Sequence, residues 1–372
     1  MSDSSWQNKD YSDYFESLQN NLNKPQSKLR SENLQEVNKN KVKKHRIGLY
    51  GVFRVRKSVL AVALAVVIIA VGALVISGFG KGDKTAKNNT TEKIADEKVK
   101  DIPKISYSFD DETLAIPASN DAKTAIIVDK ANNRVVAQRN AQERAYPAST
   151  TKIMTLLVAC ENITDFEDTF TMTYKITDPL WLADASVAGF LNEEKVNMED
   201  LLYGTILPSG ADAAMGLAVK IAGSEEEFVK LMNKKVEELG LKNTHFTNVT
   251  GLHNEQNYTT AYDMAIMLDA AMQNKLCREI LSTYQYTTAK TPQHPEGILL
   301  SNTIFEYMYG NEPGTATILG GKTGFVNESG YCIASFGSCN ENGNEYIVVT
   351  LGNSSRWPAF YGQIDLYKEF AK

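Results

Sequence analysis

Hydrophobic and polar positions divide the chain into four stretches. Residues 1–57 are rich in Asn, Gln, Ser and Lys and hold too few apolar side chains to bury a core, so a largely disordered tail is expected there. One island, Tyr11, Tyr14, Phe15, Leu18 and Leu22, falls at helical spacing, which fits either a transient helix without a partner or a short docking motif. Ser58 to Phe79 is apolar and uncharged. It is long enough to cross a bilayer core as a helix, which takes about 20 residues. Residues 80–106, rich in Lys, Asn, Thr and Glu without periodicity, read as a flexible tether. From Tyr107 to the C-terminus the pattern is that of one folded domain.

Within residues 107–372 the pattern changes twice. Thr124–Asp129 and Arg134–Gln138 are strand-like, and Ala131-Asn132-Asn133 between them supplies turn chemistry, so the pair predicts a hairpin. The run Ile153 to Ala159 is too continuously apolar for a surface helix and predicts a central one, discouraged from starting earlier by Pro147. Helices are then expected over 197–203, 211–222, 225–239 and 260–272, punctuated by Gly204, Pro208, Gly210, Gly223 and Gly240. Strands return at 317–322, 331–336 and 346–351, the last two joined by a hairpin-type turn at 340–344. Trp357 to Phe370 closes the chain as a helix. Strands from both ends of the domain bracket the helices, which suggests one antiparallel sheet with a helical lobe inserted into it.

Charge refines this picture in one place. The net charge of −6 is mild and points to no nucleic-acid partner. The basic residues gather between Lys39 and Lys57, directly before the apolar stretch and with no acidic residue among them. The positive-inside rule then puts the N-terminus in the cytoplasm and the folded domain outside it. A cleaved signal peptide is the rival, but its apolar core would be shorter and a leader of this length unusual. The expectation is therefore an uncleaved, single-pass signal anchor over 58–79. The four cysteines, Cys160, Cys277, Cys332 and Cys339, show neither a Cys-x-x-Cys pair nor disulfide-dense spacing.

The candidate chemistry starts at Pro147-Ala148-Ser149-Thr150-Thr151-Lys152. A lysine three residues after a serine lies on the same helix face one turn on, within reach of the hydroxyl. Ser149 would also sit near the positive end of the helix dipole. Two readings stay open on this hexapeptide alone: a serine nucleophile carrying its own base, or a helix-capping serine beside a solvated lysine. Two further motifs follow in order. Leu207-Pro208-Ser209-Gly210-Ala211-Asp212 lies between two predicted helices, and Gly320-Gly321-Lys322-Thr323-Gly324-Phe325 lies on a predicted strand. Glycines there let another backbone approach closely, so an extended peptide can add to that strand, with the Lys322 cation available to a carboxylate and the Thr323 hydroxyl beside it.

The ordered set Ser-x-x-Lys, Ser-Gly-x, Lys-Thr-Gly resembles the serine-type D-alanyl-D-alanine carboxypeptidases, the low-molecular-mass penicillin-binding proteins. The resemblance runs from about Tyr107 to the C-terminus and takes in the hairpin before Ser149, the block His245 to Leu252 and the block Tyr258 to Ala265. It implies an α/β fold of the α+β type, a five-stranded antiparallel sheet flanked by helices plus an all-helical lobe. It implies Ser149 as acylated nucleophile, Lys152 as its base and Ser209 as proton shuttle to the leaving amine. Lys322 and Thr323, with Gly324 and Phe325 on the same strand, would bind the substrate, and the N–H groups of Ser149 and Phe325 would form the oxyanion hole. Lys152 would have to be neutral to act, and burial and the like charge of Lys322 are both expected to push its pKa down. The implied substrate is a peptidoglycan stem peptide ending in D-Ala-D-Ala, with β-lactams as covalent inhibitors and no metal or other cofactor. One departure stands out: the second motif of the family usually ends in Asn, and here the position is Ala211.

Other chemistries fit less well. There is no Gly-x-Ser-x-Gly, and of four histidines His45 lies on the tail side of the apolar stretch, which disfavours a Ser-His-Asp hydrolase. No His-Glu-x-x-His appears, which disfavours a zinc peptidase. A serine β-lactamase shares the three motifs but needs a group to activate the deacylating water, and no residue offers itself. A sensor that keeps the pocket without turnover is the non-enzyme alternative, suggested by Ala211.

Overall fold

The computed structural model describes residues 105–308 and 313–372. The expected tail, the apolar stretch at 58–79 and nearly all of the tether lie outside these residues. Among the described residues no helix is long and apolar enough to cross a membrane.

The domain begins with Leu114–Ala115 (β1), followed by the hairpin Thr124–Asp129 (β2) and Arg134–Arg139 (β3). A single 3-10 turn, Ala148–Thr151, leads into Lys152–Asn162 (α1). The excursion that follows holds Thr169–Thr171 (β4), Tyr174–Leu182 (α2), Lys195–Asn197 (β5), Met198–Ile206 (α3), Ala211–Ala222 (α4), Glu225–Leu239 (α5), Ala261–Gln273 (α6) and Lys275–Ser282 (α7). Gln285–Thr287 (β6), Leu299–Ser301 (β7) and Thr303–Met308 (α8) precede the return to the sheet. That return is Ala316–Val326 (β8), Gly330–Cys339 (β9) and Glu345–Asn353 (β10), and Arg356–Phe370 (α9) closes the chain.

The sheet runs in the order β1-β3-β2-β10-β9-β8, so strands from the two ends of the domain meet where β2 pairs with β10. From β3 to β8 all neighbours are antiparallel, as expected. The sheet is nevertheless mixed, because β1 adds in parallel along β3. Two exposed residues carry no alternation to read, and β1 is held by backbone pairing alone, which leaves no mark in the sequence.

The period of two decides what covers each face. Ile126, Val128, Ile347 and Val349 point into a core shared with α1 and α6. Ile127, Val348 and Tyr346 point the other way, against Leu366, Tyr367 and Phe370 of α9. Each such apolar side chain taken fully out of water contributes about 1.5–3 kcal/mol. Helix α1 is central, as its apolar run predicts: Lys152 to Ala159 are buried without interruption. Helices α4 and α5 end where predicted because Gly223 and Gly240 take left-handed φ values of 84° and 69° at the C-caps. Side chains of Asn197, Ser224 and Thr260 cap α3, α5 and α6 at their N-termini. Helix α2 was not predicted, since Pro179 interrupts its pattern and several of its apolar side chains face solvent.

Candidate active site

Ser149 lies in the 3-10 turn, ahead of the helix proper, which starts at Lys152. The sequence predicts the serine at the helix start itself; the tighter turn displaces it, and its hydroxyl caps nothing. The turn is locked because the Thr150 hydroxyl and N–H both donate to the Pro147 carbonyl, at 2.6 and 3.2 Å. Lys152 comes one turn later, and its Nζ lies 3.0 Å from Ser149 Oγ. The amine also donates to the Thr250 carbonyl at 2.6 Å, and Ser149 Oγ approaches the same oxygen at 3.4 Å.

Lys152 is 2% exposed. Burial takes its amine from 10.5 down to about 7, with the charge of Asp212 pulling weakly the other way. Burial acts on Lys152 as predicted, and Lys322 is held well below the usual lysine range by burial and then by the charge of Lys152, a repulsion that the two amines share.

Ser209, in the loop ahead of α4, and Ala211, the first residue of α4, reach the same cleft. Ser209 is a non-glycine residue held at φ 64°, a left-handed strain that occurs where surrounding structure fixes a side chain's aim. Among the described residues Ser209 makes no direct hydrogen bond to Lys152, whose donors go to Ser149 and Thr250. Gly210 is required beside it, since a Cβ there would sit 2.6 Å from the Gly204 carbonyl oxygen. The next residues tie the loop down. The Asp212 carboxylate, 1% exposed, accepts N–H groups of Ala188, Gly189, Phe190 and Ala213 at 2.7–3.1 Å. Burial pushes its carboxyl upward and those four donors pull it back. Asp212 thereby fastens the 184–190 loop, part of which walls the cleft, to the start of α4.

Strand β8 supplies the opposite wall and is the edge of the sheet, so its outer side is open to an added strand. Thr323, Gly324 and Phe325 line the cleft. The Thr323 hydroxyl lies 2.6 Å from that of Thr303, at the start of α8. Gly324 fits where no side chain does: a Cβ would lie 2.7 Å from the Ser149 nitrogen. Phe325 is half-exposed and stacks on Tyr331 at 4.3 Å. Lys322 departs from expectation. It is fully buried behind the wall, and its amine donates to the Thr323 carbonyl at 2.9 Å. Buried and outside the cleft lining, it acts on a ligand through the wall unless the wall moves, and an arriving carboxylate would favour its charged form.

The cleft, about 600 Å³, has Ser149 on its floor and lies in the usual size range for small-ligand sites. Thr250, Thr303 and Asp212 were missed as site residues. Thr250 acts through a backbone carbonyl, which has no residue signature, although it falls within the block His245 to Leu252. Asp212 is the last residue of the second motif stretch, Leu207 to Asp212, and its burial is what the sequence does not show.

Three comparisons bear on this geometry. A family profile described as D-alanyl-D-alanine carboxypeptidase matches residues 111–355. A relative named D-alanyl-D-alanine carboxypeptidase DacF, from Bacillus subtilis, is 34% identical over 243 residues, which is 64% of this chain and 59% of that protein. The chain therefore matches less than two thirds of that relative's length. A solved mutant of a Streptomyces DD-transpeptidase is similar at a TM-score of 0.60 and 28% identity, covering 67% of this chain and 98% of that one. Penicillin-binding protein 5 from Haemophilus influenzae is similar at a TM-score of 0.58 and 28% identity, covering 68% and 70%.

Proposed function

The chain belongs to the D-alanyl-D-alanine carboxypeptidase family, and from that membership we propose that it is a serine-type carboxypeptidase removing the terminal D-Ala of peptidoglycan stem peptides. The observation that carries the proposal is the pair Ser149 Oγ and Lys152 Nζ, 3.0 Å apart on a cleft floor, with the amine brought to about 7 by burial. A serine hydroxyl is a weak nucleophile until a neutral base takes its proton, and this lysine is tuned to do so near neutral pH.

In this scheme Ser149 Oγ attacks the carbonyl carbon of the D-Ala-D-Ala peptide bond while its proton passes to Lys152 Nζ. The substrate lies along the open edge of β8. Its carboxylate is held at Thr323 with Lys322 behind, and the developing oxyanion is held by the N–H groups of Ser149 and Phe325. Each donor of that kind is worth about 10²–10³ in rate. The C–N bond breaks as a proton returns to the leaving amine by way of Ser209, and water then hydrolyses the ester on Ser149. A β-lactam enters the same first step and stays as a long-lived acyl group. The proposal extends to topology: residues 107–372 form the catalytic domain, carried outside the cytoplasm on residues 80–106 by a single-pass anchor over 58–79, with 1–57 inside.

Ala211 favours one second reading, a sensor acylated without turnover. It is buried on the cleft wall, where an amide would otherwise meet the substrate backbone and Lys152. The test is to incubate the protein with a D-Ala-D-Ala-ending peptide and, separately, with penicillin. Released D-Ala and a single penicillin adduct mapping to Ser149 are expected. An adduct that survives in Ser149→Ala refutes the proposal. No D-Ala from the wild type, with release by Ala211→Asn, establishes the sensor instead.

A further inference from the structure

The loop 246–252 carries a hydrogen-bond arrangement that the scheme above does not use. Its first residues are anchored from outside. Asn233 of α5 exchanges both its amide groups with the backbone of Phe246, Thr155 of α1 donates to the Val249 carbonyl at 2.8 Å, and Glu225 accepts the Val249 N–H at 3.0 Å. Its tip is organised from within, chiefly by Asn248, with the Thr250 hydroxyl accepting the Leu252 N–H at 3.3 Å. Asn248 Oδ1 accepts the Gly251 N–H at 2.7 Å and the Thr250 N–H and hydroxyl, each at 3.2 Å, while its Nδ2 donates to the Leu252 carbonyl at 3.0 Å. Two N–H groups at one amide atom and a carbonyl at the other fix which is oxygen. Gly251 completes the turn at φ 83°, in a place where a Cβ would fall 1.9 Å from the Ala148 carbonyl oxygen. The tip is thus pressed against the turn that bears Ser149, and the Thr250 carbonyl is left facing Lys152 Nζ at 2.6 Å.

A carbonyl only accepts, so one amine hydrogen is committed to it. Rotation about the last bond of Lys152 is then set, and the lone pair of the neutral amine is free to face Ser149 Oγ. We infer that Asn248 is a positioning residue for proton transfer: by holding the Thr250 carbonyl it aims Lys152 at Ser149, the orienting task left open by Ala211. This rests on the proposed Ser149–Lys152 chemistry and goes a step further into it.

The experiment measures acylation of the full-length protein by a chromogenic cephalosporin. The prior binding constant and the acylation rate constant are separated, rates are expressed per folded molecule, and the adduct is mapped. In Asn248→Ala the rate constant is expected to fall about ten- to a hundredfold, the scale of a displaced catalytic group, with the binding constant within about twofold. Asn248→Asp keeps an oxygen that gathers Thr250 and Gly251, loses the donor to Leu252 and Thr247 and adds a negative charge that favours the protonated amine, so it is expected to recover most of the rate when the variants are compared on the high-pH plateau. A wild-type rate constant in Asn248→Ala overturns the inference. So does a loss confined to the binding constant, or Asn248→Asp falling as far as Asn248→Ala. If the wild type itself takes up no label on Ser149, the underlying scheme falls and this inference with it; a labelled wild type with an unaffected Asn248→Ala sinks the inference alone.

Discussion

The pH dependence of acylation follows directly from the enclosure of Lys152. An ordinary lysine titrates near 10.4, so at pH 7 only about one amine in 2,500 is neutral. In this protein burial brings the group from 10.5 to about 7, and about half the amines are then neutral at that pH. In the proposed scheme the base is active in its neutral form, so the sign is fixed: acylation is expected to rise with pH through about 7 and to be flat above it. The neutral fraction gives about 1% of the plateau rate at pH 5 and about 10% at pH 6. The perturbation is therefore pH itself. The assay is the second-order rate constant for penicillin acylation between pH 5 and 9, measured on the wild type and on Lys152→Ala. The variant is expected to show no appreciable acylation at any pH, since no second base lies at Ser149 Oγ among its described hydrogen-bond partners. A wild-type rate that is flat across the range, or one still climbing tenfold per pH unit at pH 9, would refute the argument, because either outcome means that a neutral Lys152 at about 7 does not set the rate.

Two further substitutions probe the frame around the pair. Asp212→Ala removes the acceptor of four buried N–H groups, and is expected to destabilise the domain by about 2–5 kcal/mol in denaturant unfolding. A loss under about 0.5 kcal/mol would mean that the 184–190 loop does not depend on it. Gly324→Ala would place a Cβ 2.7 Å from the Ser149 nitrogen and 3.0 Å from that of Thr150, so β8 must retreat from the nucleophile. Acylation is expected to slow about a hundredfold with little change in melting temperature, and an unaffected rate would show that β8 need not abut the turn.

How far the sequence reaches is visible in particular elements. It determined the β2–β3 hairpin, the limits of α4 and α5, the central burial of α1 and the one-turn offset of Ser149 and Lys152. All of these depend on neighbours within a few residues: the period of a strand or helix, a glycine at a left-handed cap, a turn between two apolar runs. The ordered motifs also announced that Ser209 and β8 would meet Ser149, without saying how. Only the tertiary structure decided that Lys322 lies behind the cleft wall while Thr323, paired with Thr303, faces the cleft. It alone decided that the charge of Asp212 opposes the lowering of the Lys152 amine, and that β1 joins the sheet in parallel. Nor does any pattern along the chain reveal that the carbonyl of Thr250, 98 positions away, holds the amine of Lys152. Every residue but the last carries the same peptide carbonyl whatever its side chain, so its use in a site is set by where the fold brings it and by what, here Asn248, keeps it there.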